Sequence, residues 1–559
     1  MTVADDTQQR DSQIDALFVE ARQLHEQGDL AQANRLYGEV IGRSPLHADA
    51  LHMRGLLALQ AGHPQPAVDL ISRAIIAAPS AFMHFNRAVA LARLDRLDDA
   101  IADYAAAAAM QPDLVQAHKS RADLLRRLDQ PEKAVVALGA AIALAPRDAS
   151  LHEAVADALR SLGRPAEALA AYDRALALDP GRSATHVGRG TLLSELMRLD
   201  EALAAFDAAV ARDPDYVIAH FNRGVTLRKL HRIDEAIAAN RAVIALQPEF
   251  AKAHQQLALC LLQQGRLAEG FEEYEWRRRT VENADPRYAL PSPWNGEDLT
   301  GKTLFVFHEL YLGDMIQFCR YARLAELAGA RVILAAPPML HALLRTLSPT
   351  IELIPATDTP PHYDYHCALL SLPRAFRSAI AAMTPYLAAE PARARRWREH
   401  LGSDGFRIGV CWQGSTLPYA DVMQRSFPLA ELAPLTTARA DVRLISLQKY
   451  SGLDQLETLP PGMRVETLEA FDEGSDAFVD TAALMTACDL IVTADTSVAH
   501  LAGALGVPVW VALPWLADWR WLENRDDSPW YPSMRLFRKP RPGDWAAVFA
   551  AMAEALKAP

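Results

Sequence analysis

Apolar and polar positions change rhythm about halfway along the chain. In the second half, short apolar runs alternate with amphipathic stretches. Thr303 to Phe307, Val332 to Ala335 and Ile351 to Ile354 read as buried strands, with Cys367 to Leu370 a weaker fourth. A helical stretch rich in Ala and Arg, Pro391 to Leu401, leads to a second series. Its strands are Ile408 to Trp412, Val442 to Leu447, Ile491 to Ala494 and Val509 to Leu513. Within that series Asp495-Thr496-Ser497 offers three N-cap residues in a row. Val498, Leu501, Ala502 and Leu505 follow at helical spacing, Gly506 sits where a C-cap belongs, and Pro508 prevents continuation. The pattern predicts two consecutive parallel-sheet lobes with a cleft between them. The strand–helix–strand unit from Asp489 to Pro514 concentrates polar residues at a strand's carboxyl end, where open parallel sheets bind ligands.

The first half keeps a different period. Pro45, Pro79, Pro112, Pro146, Pro180, Pro214 and Pro248 recur every 34 residues, with one interval of 33. A second column holds Gly28, Gly62, Asp95, Asp129, Gly163, Met197, His231 and Gly265, and five residues after each stands Ala or Gly. A third column of small residues runs Gly55, Ala88, Ala122, Ala156, Gly190, Gly224, Ala258. Small residues at fixed points let helices approach closely, while Tyr37, Tyr104, Tyr172 and Phe206 fill the space between. This resembles the tetratricopeptide repeat, with eight helical hairpins over residues 12–280. Such arrays form a superhelix whose concave face commonly binds peptides or proteins. Histidines 84, 118, 152, 186, 220 and 254 fall in register. Packed helices lie roughly 8–10 Å apart, too far for ligands that must converge within about 2 Å of one ion, so the row reads as structural and no metal is expected. Asn86, Asn222 and Gln256, two residues further on, are candidate peptide contacts.

Composition narrows the class. The 559 residues carry a net charge of −12, with no basic tail to suit nucleic acid or a membrane surface. Five scattered cysteines without a CxxC suit a reducing compartment. No run is apolar enough for a membrane span, and the acidic start is unlike a signal peptide, so a cytoplasmic location is expected. The expected order is a disordered start (1–11), the repeats (12–280), a Pro-rich linker (281–300), a first lobe (301–402) and a second lobe with a C-terminal helix (403–559).

Leu312-Gly313-Asp314 after the first strand, with Asp495-Thr496-Ser497-x-x-His500, resembles glycosyltransferase family 9, the heptosyltransferase-like enzymes. The match is closer to bacterial proteins that join tetratricopeptide repeats to such a domain. His308 to Tyr321, Ser446-Leu-Gln-Lys449 and Ser528-Pro-Trp-Tyr-Pro532 extend it. The resemblance implies a GT-B fold and inverting transfer of a sugar from a nucleotide-diphosphate donor. No convincing DxD motif stands in a strand-end loop, which favours a metal-independent mechanism, and no further cofactor is expected. The acceptor would be a protein or glycan chosen by the repeat groove. It departs from the family at Ser497, where glycine is usual, and in the loop Gln413-Gly414-Ser415-Thr416, which lacks the usual lysine.

The resemblance assigns Asp314 the role of general base, and its strand-end position suits that role; the alternative is an N-cap for a helix starting at Met315. The diphosphate is expected on the helix start at Thr496 and Ser497, with Lys449, Arg425 and a charged His500 adding donors. Asp495 would cap its helix or bind a sugar hydroxyl. Gly313, Gln413, Gly414 and Ser415 complete the expected binding set. Trp412, Trp519 and Trp530 are either base-stacking or core residues. Two other functions remain open: protein glycosylation like that of the O-linked N-acetylglucosamine transferase, which also joins these repeats to a GT-B region, or a repeat scaffold with inactive lobes.

Overall fold

A computed structural model of the chain describes residues 3–280, 285–377, 380, 383–414, 425–473 and 477–557. It divides into two compact units, Met1–Asn222 and Arg223–Pro559. The boundary falls inside the repeats, within the helix Val217–Lys229, rather than at their end.

In the first unit consecutive helices pack as hairpins, from Val3–Glu26 with Leu30–Arg43 to Ser183–Glu195 with Leu199–Arg212. The opening helix takes in residues expected to be a disordered start. The column beginning Gly28 is the turn of each hairpin. All eight of its residues are left-handed, with φ of 87° at Gly28, 58° at Met197 and 57° at His231. That conformation ends the first helix of a hairpin and satisfies its last carbonyls. In the second hairpin, for example, His63 N–H donates to Ala58 O at 2.9 Å. The small columns lie where helices meet: a Cβ on Gly55 would stand 2.6 Å from Ile71, and one on Gly190 2.8 Å from Phe206.

The histidine row is structural. Nε2 of His118, His152, His186 and His220 donates to the carbonyl of Pro112, Pro146, Pro180 and Pro214 at 3.1, 3.0, 3.1 and 2.8 Å. Each ring therefore ties a helix start to the turn six residues before it. Asn86 Nδ2 lies 2.9 Å from His52 Nε2, and Asn222 Nδ2 donates to Thr191 Oγ1 at 3.4 Å. Both face the preceding repeat.

The second unit continues the repeats through Ile233–Leu246, Ala251–Gln263 and Leu267–Tyr274, closed by a 3-10 turn at Glu275–Arg279. The strands that follow are β1 (Thr303–Phe307), β2 (Arg331–Ala336), β3 (Glu352–Pro355) and β4 (Tyr365–Ala368), then β5 (Phe406–Cys411), β6 (Val442–Ser446), β7 (Val465–Glu466), β8 (Leu490–Ala494), β9 (Val509–Leu513) and β10 (Met534–Arg538). They form two wholly parallel sheets, β3-β2-β1-β4 and β10-β9-β8-β5-β6-β7. The helices used below are α1 (Leu312–Leu327), α2 (Pro391–Leu401), α3 (Ser497–Leu505) and α4 (Trp545–Lys557). Strand order reverses between β1 and β4 in the first sheet and between β5 and β8 in the second. Such switch points open a crevice at the strands' carboxyl ends.

The described part of the stretch expected to be a linker, residues 285–300, packs on the first sheet. Pro293 bridges to His366 of β4, Trp294 is buried, and Tyr288 Oη donates to Glu309 at 2.5 Å. One apolar cluster joins Phe271 and Tyr274 of the last repeat to Met315 and Phe318 of α1, Leu501 of α3, Trp519 and Trp530. Among the described residues no helix is long and apolar enough to cross a membrane.

Candidate functional site

Most of the described residues expected to carry chemistry lie at the two switch points, Lys449 excepted. Gly313 and Asp314 open α1, just past β1. Helix α1 begins at Leu312, with Tyr311 as its N-cap, so Asp314 is its third residue rather than a cap for a helix from Met315. Asp314 Oδ2 reaches back to accept from Tyr311 N–H at 3.1 Å, while Oδ1 accepts from Arg520 Nη2 at 2.5 Å. The carboxylate thus takes part in capping, though of a helix that starts at Leu312 rather than Met315, and is ion-paired at the same time. Burial raises the Asp314 pKa, and the Arg520 guanidinium opposes that rise.

At the second sheet's switch point, Thr496 caps α3 by accepting from Val498 N–H at 3.2 Å, and left-handed Gly506 ends it. Asp495 does not cap the helix. It is buried, with Oδ2 lying 3.7 Å from Arg425 Nε and without a hydrogen-bond partner among the described residues. Burial raises its pKa, Arg425 opposing. Arg425 Nη2 also donates to Asp518 Oδ2 at 3.4 Å, and Asp518 Oδ1 accepts from Arg520 Nη1 at 2.8 Å. Asp314, Arg520, Asp518, Arg425 and Asp495 therefore form one chain of alternating charge between the two switch points. Asp518 is held near 2, burial being outweighed by Arg520 and Arg425 together. Arg520 Nε donates to Gln317 Oε1 at 2.8 Å, which keeps the guanidinium over the start of α1.

The two helix starts touch. A Cβ at Gly313 would lie 3.2 Å from His500 Cδ2 and 3.7 Å from Ser497 Cα, so any larger residue would crowd the His500 ring. A Cβ at Gly414 would lie 3.1 Å from Thr496 Cγ2, which brings the loop after β5 to the same place. Thr496, Ser497, Gly313 and Gly414 are all partly exposed there. His500 differs from expectation. It is buried, stacked on Trp521 with centroids 5.2 Å apart, and its Nδ1 lies 3.0 Å from Tyr531 Oη. Burial first, and then Arg520, lower its pKa to about 3. It is neutral at pH 7 and offers no charge-assisted bond.

Lys449 is engaged elsewhere, donating to the carbonyls of Phe471 and Asp472. It lines a cavity of about 350 Å³ beyond β6 and β7, together with Ser446, Gln448, Leu468 and Phe471. Gln448 links this cavity to the switch point: its Oε1 accepts from Trp412 N–H at 3.0 Å and Gln413 N–H at 2.9 Å. Gln413 Oε1 accepts from Gln455 at 3.2 Å, so its side chain is already occupied. Ser415 lies outside the described residues. Trp412, Trp519 and Trp530 are core residues, at 0%, 4% and 1% exposure. A larger cavity, about 820 Å³, lies away from both switch points, between the His231 turn and Leu522–Arg525.

Sequence reasoning missed Asp518, Arg520 and Trp521, and took in Gln317 and Tyr531 only as parts of longer motifs. The available signal was position. Asp518-Trp519-Arg520-Trp521 lies in the loop leaving β9, which is also a carboxyl end in the second sheet.

Comparison with known proteins bears on the repeats. The tetratricopeptide repeat family matches residues 18–82, 52–115, 119–183, 187–249 and 226–276. The first half of the chain is a tetratricopeptide-repeat array. Protein FlbA of Caulobacter vibrioides is 29% identical over 329 residues, covering 54% of this chain and 54% of that protein. Cellulose synthase 2 operon protein C of Komagataeibacter xylinus is 35% identical over 103 residues, 18% of this chain and 8% of that one. The chain thus spans about half or less of these relatives. Among solved structures, the C-terminal part of a repeat protein from Cytophaga hutchinsonii has a TM-score of 0.38 at 14% identity, covering 43% of this chain and 99% of that one. A repeat protein from Parabacteroides merdae has a TM-score of 0.35 at 16% identity, covering 44% of this chain and 98% of that one.

Proposed function

We propose that the α/β region is a GT-B glycosyltransferase, moving a sugar from a nucleotide-diphosphate donor to an acceptor selected by the repeats. One observation supports this above the others. Two switch-point crevices meet at Gly313, Ser497 and His500, with a buried carboxylate, Asp314, at the meeting place. In this reading the diphosphate lies on the start of α3, where the helix dipole contributes roughly 0.3–1 kcal/mol, up to about 2 when partly buried. The nucleoside occupies the cavity beside Lys449. The acceptor hydroxyl gives its proton to Asp314 as its oxygen bonds to the anomeric carbon, and the bond from that carbon to the diphosphate breaks with inversion. Arg520 favours the ionised Asp314 that this step needs.

A second reading has a specific observation in its favour. The 2.5 Å pair with Arg520 already occupies one oxygen of Asp314, which suits a region that binds nucleotide without transfer. Thermal shift with UDP-, GDP-, ADP- and dTDP-sugars, followed by assay of slow hydrolysis, separates the two. A donor at 100 times its dissociation constant adds about 2.7 kcal/mol of stability. Stabilisation with hydrolysis supports transfer, stabilisation alone supports the binding reading, and no stabilisation by any donor or its nucleoside diphosphate overturns both.

A further inference from the structure

We propose that Arg277, in the turn that closes the repeat array, positions the loop carrying Asp314, so that the last repeat hairpin is a working part of the site. Every candidate chemical residue lies after position 300, which makes the repeats look separable from the chemistry. The contacts of Arg277 say otherwise. Its side chain is 1% exposed and grips Glu309, itself 2% exposed, in the loop between β1 and α1. Nε and Nη2 donate to Glu309 Oε1 at 3.1 and 2.9 Å, and Nη2 to Oε2 at 3.0 Å. Nη2 also reaches Ser371 Oγ at 2.8 Å, and Nη1 reaches Glu275 Oε1 at 3.0 Å.

Glu309 anchors the first sheet's switch point from inside. Besides Arg277 it accepts from Leu370 N–H at 2.9 Å, just past β4, and from Tyr288 Oη at 2.5 Å. The next residue, Leu310, is left-handed at φ 59°, a conformation that a branched side chain avoids unless its surroundings impose it. Tyr311 follows, held by Asp314. The path from Arg277 to Asp314 is therefore an ion pair, one forced turn and one cap. The same hairpin supports the other half of the pair. Phe271 meets Trp519 edge-on at 5.7 Å, and Trp519 stands between Asp518 and Arg520. Arg277 touches none of the proposed reacting atoms; its role is positioning.

The inference rests on the transferase reading for its kinetic arm only. In the full-length protein, Arg277→Met and Arg277→Lys are compared by hydrogen exchange and by hydrolysis of whichever nucleotide sugar the parent turns over. Arg277→Met should speed exchange across His308–Ile316 by about tenfold or more, with Ile408–Cys411 and Val509–Leu513 unchanged. It should lower kcat by about tenfold or more with KM within about twofold, since misplacing a reacting group by 1 Å can cost about 10²-fold. Arg277→Lys should recover part of both effects. Unchanged exchange at His308–Ile316, or equal loosening of all three segments in both variants, overturns the proposal. If the parent hydrolyses no nucleotide sugar, the transferase reading fails and the exchange result alone decides the role of Arg277.

Discussion

Charge is arranged differently in the two halves of this chain. In the repeats, Arg126 with Asp157 and Arg160 with Glu195 link neighbouring units across 31 and 35 residues, with both partners partly exposed. In the α/β region Asp314 pairs with Arg520 across 206 residues, and both are buried. Exposed pairs contribute about 0.2–1 kcal/mol each, whereas breaking a buried pair costs about 3–5 kcal/mol. Such links between adjacent units are weak and replaceable beside the apolar clusters that hold the array. The α/β region has exposed pairs too, but adds buried ones between segments far apart in sequence, Asp314 with Arg520 and Glu309 with Arg277.

That contrast can be broken by substitution. The largest effect is expected from Arg520→Met, which leaves Asp314 and Asp518 buried with an arginine missing. Urea unfolding of the α/β region should show a loss of about 3–5 kcal/mol, against less than about 1 for Arg160→Ala in the array. Similar losses at both sites would erase the distinction. Next comes pH. The folded-state pKa of His500, about 3, lies below its unfolded value, so the unfolded chain takes up a proton first as pH falls. Stability from this group is complete above about pH 6.5 and is lost on acidification at about 1.4 kcal/mol per pH unit. His500→Gln should remove that slope, and a parallel pH profile in the variant would count against the buried neutral ring. In the array, His186→Ala removes one bond to a turn carbonyl, and about 1 kcal/mol is expected from its unfolding midpoint. The smallest effect is a gain. Met197→Gly relieves a left-handed residue at a hairpin turn and should stabilise the array by a few tenths to about 1 kcal/mol.

The two halves were also unequally legible from sequence. In the repeats one local rule recurs, so the turn column, the close-approach columns and the structural role of His118 or His186 could all be read by alignment of the chain with itself. In the sheets the apolar runs gave β1 with its ends and α2 from Pro391 to Leu401. Helix α3 with its cap and C-terminal glycine was equally clear. β10 was missed because Arg535 and Arg538 interrupt its apolar run, and β7 because two residues carry no period. Prolines at 286, 291 and 293 suggested a linker, yet the stretch holds Trp294 against the first sheet. The pairing of Asp314 with Arg520 was out of reach, since neither periodicity nor spacing reports on which loops meet across two hundred residues. The same limit hid the burial of His500, because its neighbour Tyr531 comes from a different loop.

The most direct test compares parent and Asp314→Asn protein with the donor found by the thermal-shift screen, measuring binding and sugar transfer or hydrolysis in the same preparation. The account predicts that both proteins bind the donor with similar affinity and that the variant turns it over about 10²–10⁴-fold more slowly. Turnover by Asp314→Asn at the parental rate would contradict it.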